Sequence, residues 1–88
     1  MAIKIFYTNS FLKSVKKLPN PQKKKLSQLL EILRQQPFHL KLHTKQLTGS
    51  LTGFYSFRIT RDWRVIFQFI EQNAIKLIEV AHRKEIYR

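Results

Sequence analysis

From Phe54 onward the apolar residues fall on every second position. That spacing suits a pleated strand with one buried face and does not suit a helix. Tyr55, Phe57 and Ile59 alternate with Ser56, Arg58 and Thr60, and Trp63, Val65, Phe67 and Phe69 alternate with Arg64, Ile66, Gln68 and Ile70. The pattern predicts strands over residues 54–60, 63–70 and 74–81, with a short tail from residue 82 to 88. A sheet with one apolar face needs a second layer to cover it.

The first half of the chain supplies that layer. Residues 3–7 read as an opening strand, with Ile3, Ile5 and Tyr7 on one face. Thr8, Asn9 or Ser10 can cap a helix whose buried stripe is Phe11, Leu12, Val15 and Leu18, leaving Lys13, Lys16 and Lys17 in water. Pro19-Asn20-Pro21 ends this helix and starts the next, with Asn20 as N-cap and Pro21 at the first helical position. Leu26, Leu29, Leu30 and Leu33 form the second stripe, until Pro37 stops it. Residues 38–53 have little periodicity, and Leu40, Leu42, Leu47 and Leu51 are expected to tether them to the core. The order is β-α-α-β-β-β, an α+β fold with a helical hairpin packed on one face of a mostly antiparallel sheet. Residues 1–88 are expected to form a single domain.

Charge narrows the function. Lys and Arg number 17 against 5 Asp and Glu, a formal net charge of +12. With 43% apolar residues the chain has enough to fold, so the charge belongs to a folded surface that suits a polyanion. No apolar run exceeds three residues, so no transmembrane span and no membrane partner are expected. The N-terminus lacks the layout of a secretory signal, and a cytoplasmic location is the expectation. The chain has no cysteine, which excludes a disulfide framework, a thiolate nucleophile and a Cys-based zinc site. Lysines crowd the first half and arginines the second. A diffuse Lys surface and a concentrated Arg site are the expected division, because the arginine fork grips phosphate bidentately.

Register turns the arginines into a site. A three-residue loop at Thr60-Arg61-Asp62 pairs Ile59 with Trp63, Phe57 with Val65 and Tyr55 with Phe67, keeping the apolar faces together. A one-residue slip would mix them. Arg58 then lies directly opposite Arg64 on the other face. A Gln72-Asn73 turn is expected to pair Val65 with Val80 and Phe67 with Ile78. Leu77, Glu79 and Ala81 then join the Arg face, and Arg83 continues that parity. The Arg58, Arg64 and Arg83 cluster is either a phosphate site or a solvated cationic face with Glu79 as counter-ion.

Other residues carry weaker signals. His82, of the side-chain type that titrates nearest neutrality, is either structural or an acid–base group. Lys23, Lys24 and Lys25 oppose the macrodipole at a helix start, either as a solvated face or as a footprint on a polyanion. Trp63 belongs to the core by parity, although a tryptophan can stack on a base. His39 and His43 lack a third ligand, and Gly49 and Gly53 make no phosphate-binding loop, so neither a metal nor a cofactor is expected.

Four segments together resemble the RelE/ParE superfamily of toxins from bacterial type II toxin–antitoxin modules. They are Leu47-Thr48-Gly49, residues 53–59 (GFYSFRI), residues 62–67 (DWRVIF) and residues 82–87 (HRKEIY). The similarity is greatest to RelE/StbE and YoeB-like mRNA interferases. It implies a metal-independent endoribonuclease that cuts translated mRNA in the ribosomal A site and is restrained by a cognate antitoxin. By position, Arg58 matches a basic residue of the catalytic face, and Arg64 matches the arginine that stabilises the scissile phosphate. Arg83 and Tyr87 match the C-terminal catalytic arginine and tyrosine, and His82 is the candidate acid or base beside them. Lys45 stands where relatives carry a glutamate or histidine, and Ser56 where they carry a lysine or arginine. Contacts to ribosome and RNA are expected from Lys16, Lys17, Lys23, Lys24 and Lys25. Lys45, Arg61 and Lys84 extend that set. A ParE-like gyrase poison on the same fold and a non-enzymatic basic RNA-binding or ribosomal protein are the competing readings.

Overall fold

Five strands form one sheet in the spatial order β1-β5-β4-β3-β2. The computed structural model describes residues 2–86, so Tyr87 lies outside the described residues. The strands are β1 (Lys4–Tyr7), β2 (Lys45–Gln46), β3 (Tyr55–Arg58), β4 (Trp63–Glu71) and β5 (Ala74–His82). All neighbours are antiparallel except β1, which lies parallel to β5. Helices α1 (Asn9–Val15) and α2 (Asn20–Gln35) cover one face, and a single turn, α3 (Arg83–Ile86), follows β5. The α+β layout therefore stands. Two pieces had no periodicity to announce them: the two-residue β2 and the four-residue α3.

The main core lies between the helices and the sheet. It contains Phe11 and Leu18 around α1, Leu26, Leu29 and Leu33 on α2, and Phe57, Ile59, Val65, Phe67, Ile75, Leu77 and Val80 from the sheet. Both helical stripes thus pack as their spacing predicts, with two corrections. Leu12 is exposed, because Ser14 and Phe11 hold the inner side of the short α1. Leu40 is 87% exposed and tethers nothing; Leu42 and Leu47 do that work, both buried.

β1 ends opposite Leu77, so the outward backbone groups of β5 beyond it have no strand to meet. Side chains of α1 meet them instead. Thr8 Oγ1 accepts from the Phe11 N–H, capping the helix, and shares its proton between the carbonyls of Leu77 (2.9 Å) and Ile78 (3.0 Å). Ser14 Oγ donates to the Phe11 carbonyl and accepts from the Val80 N–H at 2.8 Å. The α2 cap is also corrected. Pro19 is the extended N-cap residue, and its carbonyl takes the N–H groups of Gln22 and Lys23, so Asn20 is already helical and its side chain caps nothing.

The first hairpin has the expected register: Tyr55 pairs with Phe67, Phe57 with Val65 and Arg58 with Arg64. The second does not hold throughout. Val65 pairs with Val80, but Phe67 pairs with Leu77 rather than Ile78, across a β-bulge. Leu77 is consequently buried under the helices and not on the Arg face. The cause is in the side chains. Ile75 and Leu77 share one parity and Val80 has the other, so only an inserted residue buries all three.

The outer face carries a second, smaller apolar cluster: Leu47, Ile66 and Ala81, with Leu51, Phe54, Ile78 and Ile86 packed against it. Residues 38–53 reach it through turns at Leu40–Leu42 and Gly49–Leu51, with β2 between them. Gly53, at φ +95°, lets the chain reverse into β3. Among the described residues no helix is long and apolar enough to cross a membrane.

Candidate functional site

Arg58, Arg64 and Ala81 form one row across β3, β4 and β5 on the face turned from the helices. Arg64 is only 8% exposed and Arg58 is half-buried. The next row on that face is Lys45, Ser56, Ile66 and Glu79. Among the described residues, Arg58 Nε and the Oγ of Ser56, a residue 1% exposed, find no acceptor. A buried donor without a partner is costly, on the order of 1–3 kcal/mol. The Ser56 hydroxyl beside two guanidiniums, one with an unpartnered Nε, makes this face suited to an oxyanion.

The loop after β3 brings further cations to the same end of the sheet. Thr60 Oγ1 accepts weakly from Asp62 and Trp63, and the Asp62 carbonyl accepts from the Arg83 N–H at 2.7 Å. This ties the loop bearing exposed Arg61 to the start of α3, where Arg83 and Lys84 are also exposed. The strand parity expected to carry on to Arg83 ends at His82, because α3 begins there.

His82 is not beside the arginine pair. It is the Cα partner of Trp63, which packs on the main core, so its ring leaves the sheet on the helix side. The two rings meet edge to face with centroids 5.3 Å apart. His82 Nδ1 accepts from the Lys84 N–H at 3.2 Å. Its contact with Trp63 and this bond make it a brace for the start of α3.

Lys45 lies on the Arg face at the β2 edge, opposite Ser56. Lys16, Lys17, Lys24 and Lys25 are exposed and Lys23 is half-buried, all on the helical layer across the sheet. α1 passes Leu77 at Thr8 and Val80 at Ser14, so Lys16 and Lys17 continue toward the sheet end that carries Arg58 and Arg64. Among the described residues no three metal-ligating side chains come together.

Two features gave no sequence signal. A cavity of about 550 Å³ is bounded by residues 45–51 and Ile86, beside the arginine pair rather than over it. A smaller one of about 210 Å³ shares Ser50, Leu51 and Ile86 with it and adds Ile66, Ala81, Glu79 and Glu85. Together they form a trough on the outer face. Glu79, the counter-ion of the solvated-face alternative, stands in no ion pair among the described residues, and Glu85 carries no signal in the sequence.

The fold is shared with solved toxins. The YafQ toxin of Escherichia coli BL21(DE3) superposes with a TM-score of 0.79 at 20% identity, covering 98% of this chain and 99% of that one. The RelBE2 toxin–antitoxin complex of Mycobacterium tuberculosis gives 0.76 at 20% identity, over 94% and 100%. The archaeal RelE–RelB complex of Pyrococcus horikoshii gives 0.76 at 24%, over 94% and 97%. No curated protein matches the chain in sequence. The model of the ParE toxin of type II toxin–antitoxin systems matches residues 5–87, which takes in the three helices, β2 to β5, β1 from its second residue and the Arg face, and on that match the chain belongs to the ParE toxin family within the RelE/ParE superfamily.

Proposed function

We propose that this toxin cuts mRNA on the ribosome by driving the RNA's own 2′-hydroxyl against the adjoining phosphodiester. The supporting observation is the juxtaposition of Arg58 with the largely buried Arg64 on the face away from the helices. In such a cut the P–O2′ bond forms and the P–O5′ bond breaks. The 2′-hydroxyl loses its proton and the leaving 5′-oxygen gains one, giving a 2′,3′-cyclic phosphate and a 5′-hydroxyl. Fixed guanidiniums act where the phosphorane gains charge. Arg58 and Arg64 take that role, with Arg83 at the start of α3 as a further cation, and Tyr87 is assigned proton transfer by its position in the sequence. His82, turned to the other face, braces the start of α3. Lys16, Lys17, Lys23, Lys24, Lys25, Lys45, Arg61 and Lys84 add affinity for ribosomal RNA by releasing counter-ions.

Membership of a toxin family sets aside the reading as a structural ribosomal protein. The two RelE complexes contain antitoxins, and by analogy an acidic or amphipathic antitoxin covers the Arg face here, in the cytoplasm where ribosomes are. A second reading, inhibition of DNA gyrase without cleavage, is favoured by one observation: the matching family model is that of ParE. Controlled expression with mapping of mRNA ends, alongside supercoiling by purified gyrase, separates the two. New mRNA ends at ribosome-bound codons with unaffected supercoiling support cleavage. Intact mRNA with blocked supercoiling overturns it.

A further inference from the structure

We infer that Phe38 is a stacking platform for a base of single-stranded RNA, at the end of the sheet away from the arginine pair. The inference rests on the reading of the Arg face as an RNA site and adds a second contact to the same strand. Phe38 is 63% exposed, yet other rings hold it in place. It lies nearly parallel to Phe69, with centroids 6.0 Å apart and planes at 18°, and it meets Tyr55 edge-on at 6.0 Å. Tyr55 and Phe69 in turn pack on the buried Phe67 of the main core. Phe38 is thus the exposed end of a four-ring cluster. A base laid on it extends the cluster by one member, and every base has a flat face to offer.

The loop that presents the ring is fixed and cationic. Leu42, fully buried, anchors it. His39 Nδ1 accepts from the Lys41 N–H, and Thr44 Oγ1 donates to the Pro37 carbonyl. A ring already fixed in place has little freedom left to lose on binding. Leu40, Lys41, His43 and Lys45 are exposed along the same loop. No acidic residue occurs between Glu31 and Asp62, and Glu31 is itself paired with Arg34 at 4.0 Å. An aromatic side chain among cations is the combination that holds single strands, since phosphates follow the charge and bases take the ring. An acidic protein segment would be drawn by the same charge. It would seek a groove, however, and the two cavities of the outer face do not include Phe38. The loop also leads to the Arg face. It ends at Lys45, opposite Ser56 in the row next to Arg58 and Arg64. Tyr55, in contact with Phe38, is three residues along β3 from Arg58, about 10 Å. A strand held at the arginines rounds the short β2 edge and reaches Phe38 within a few nucleotides.

The test is binding of labelled oligoadenylate of about eight nucleotides, a length that a small single-strand site can fill. Its 2′-O-methyl groups block cleavage, and an abasic strand of equal charge is the comparison. The parent protein should prefer oligoadenylate by about 5- to 100-fold. Phe38→Leu keeps the apolar bulk and loses the ring. It should remove most of that preference and leave affinity for the abasic strand unchanged. Phe38→Trp should retain the preference and add a quenching of indole fluorescence that the parent, whose Trp63 packs on the core, lacks. Equal binding of the two strands by the parent, or a preference that survives Phe38→Leu, overturns the inference. If the preference survives and antitoxin binding falls instead, the ring is a protein contact. Mapping mRNA ends decides the underlying reading separately. Phe38-dependent binding without cleavage keeps the platform and removes the nuclease, and cleavage by a parent that shows no such preference does the reverse.

Discussion

Arg58 and Arg64 face each other as Cα partners across β3 and β4, on the side of the sheet away from the helices. Like charges directly opposite one another on antiparallel strands destabilise a sheet, by about 0.2–1 kcal/mol. Packing alone would place a carboxylate or an apolar side chain at one of the two positions. The proposed role of the pair accounts for an arrangement held at the expense of stability.

That view predicts opposite effects of one substitution. Arg58→Gln removes the repulsion and a buried Nε that has no acceptor. The midpoint of thermal unfolding should rise by about 1–6 °C, while mRNA cleavage falls. Calorimetry on the variant and its parent checks the first half. A lowered midpoint would mean that the arginines support the fold and are not opposed within it.

The contact between α1 and β5 is expected to be expensive to lose, given how few bonds make it. Ser14→Ala removes the hydroxyl that accepts from the buried Val80 N–H. The loss should be about 1–3 kcal/mol. Thr8→Val removes the α1 cap together with the donor to Leu77 and Ile78 and should lose about 1–2 kcal/mol. Urea unfolding monitored by Trp63 fluorescence gives both values. The two should fall short of additive, since both side chains hold the same helix to the same strand.

How much of this was legible depends on where side chains, rather than pairing partners, decide the structure. The Arg58–Arg64 register was legible because a one-residue slip would have driven Phe57 and Val65 into water. The bulge was legible in principle: Ile75 and Leu77 against Val80 break a strict alternation, and unbroken parity put Leu77 on the wrong face. β2 was not, because Lys45 and Gln46 owe their extended form to the free edge of β3. α3 is too short to nucleate by itself. It forms where His82 Nδ1 takes the Lys84 N–H and Ile86 packs on the outer cluster. Extending strand parity through it therefore misjudged Arg83, and the same parity, applied correctly to the strand, turns His82 toward Trp63.

The first thirty residues contain seven lysines and no acidic residue, and six of the seven lie between Lys13 and Lys25 around the α1–α2 connection. No aromatic side chain is interleaved with those six. Such a surface neutralises phosphates without reading bases. Replacing Lys24 alone with glutamine should weaken ribosome binding modestly and lower the salt slope by about one, with the cleavage rate of bound complexes unchanged. Affinity measured at several salt concentrations tests this, and an unaltered slope would free the helical layer from any part in the footprint.

Arg64 should behave in the opposite way. Its guanidinium is almost wholly buried, flanked by Arg58 and Ala81, and so cannot serve as a mobile surface charge. A donor fixed in that manner acts chiefly on charge that develops during the reaction, so Arg64→Ala should slow cleavage far more than it weakens binding. Loss of one preorganised donor is typically about 10²–10³ in rate. Arg64→Lys should restore only part of it, because it keeps the charge and loses the fork that can hold two phosphate oxygens at once. Single-turnover cleavage on programmed ribosomes, with binding measured separately, distinguishes the two effects. Circular dichroism of each variant shows that the sheet is intact, a necessary control for a residue packed this tightly. If folded Arg64→Ala cleaves at the parent's rate once bound, the arginine pair is not the catalytic centre, and gyrase becomes the target to pursue.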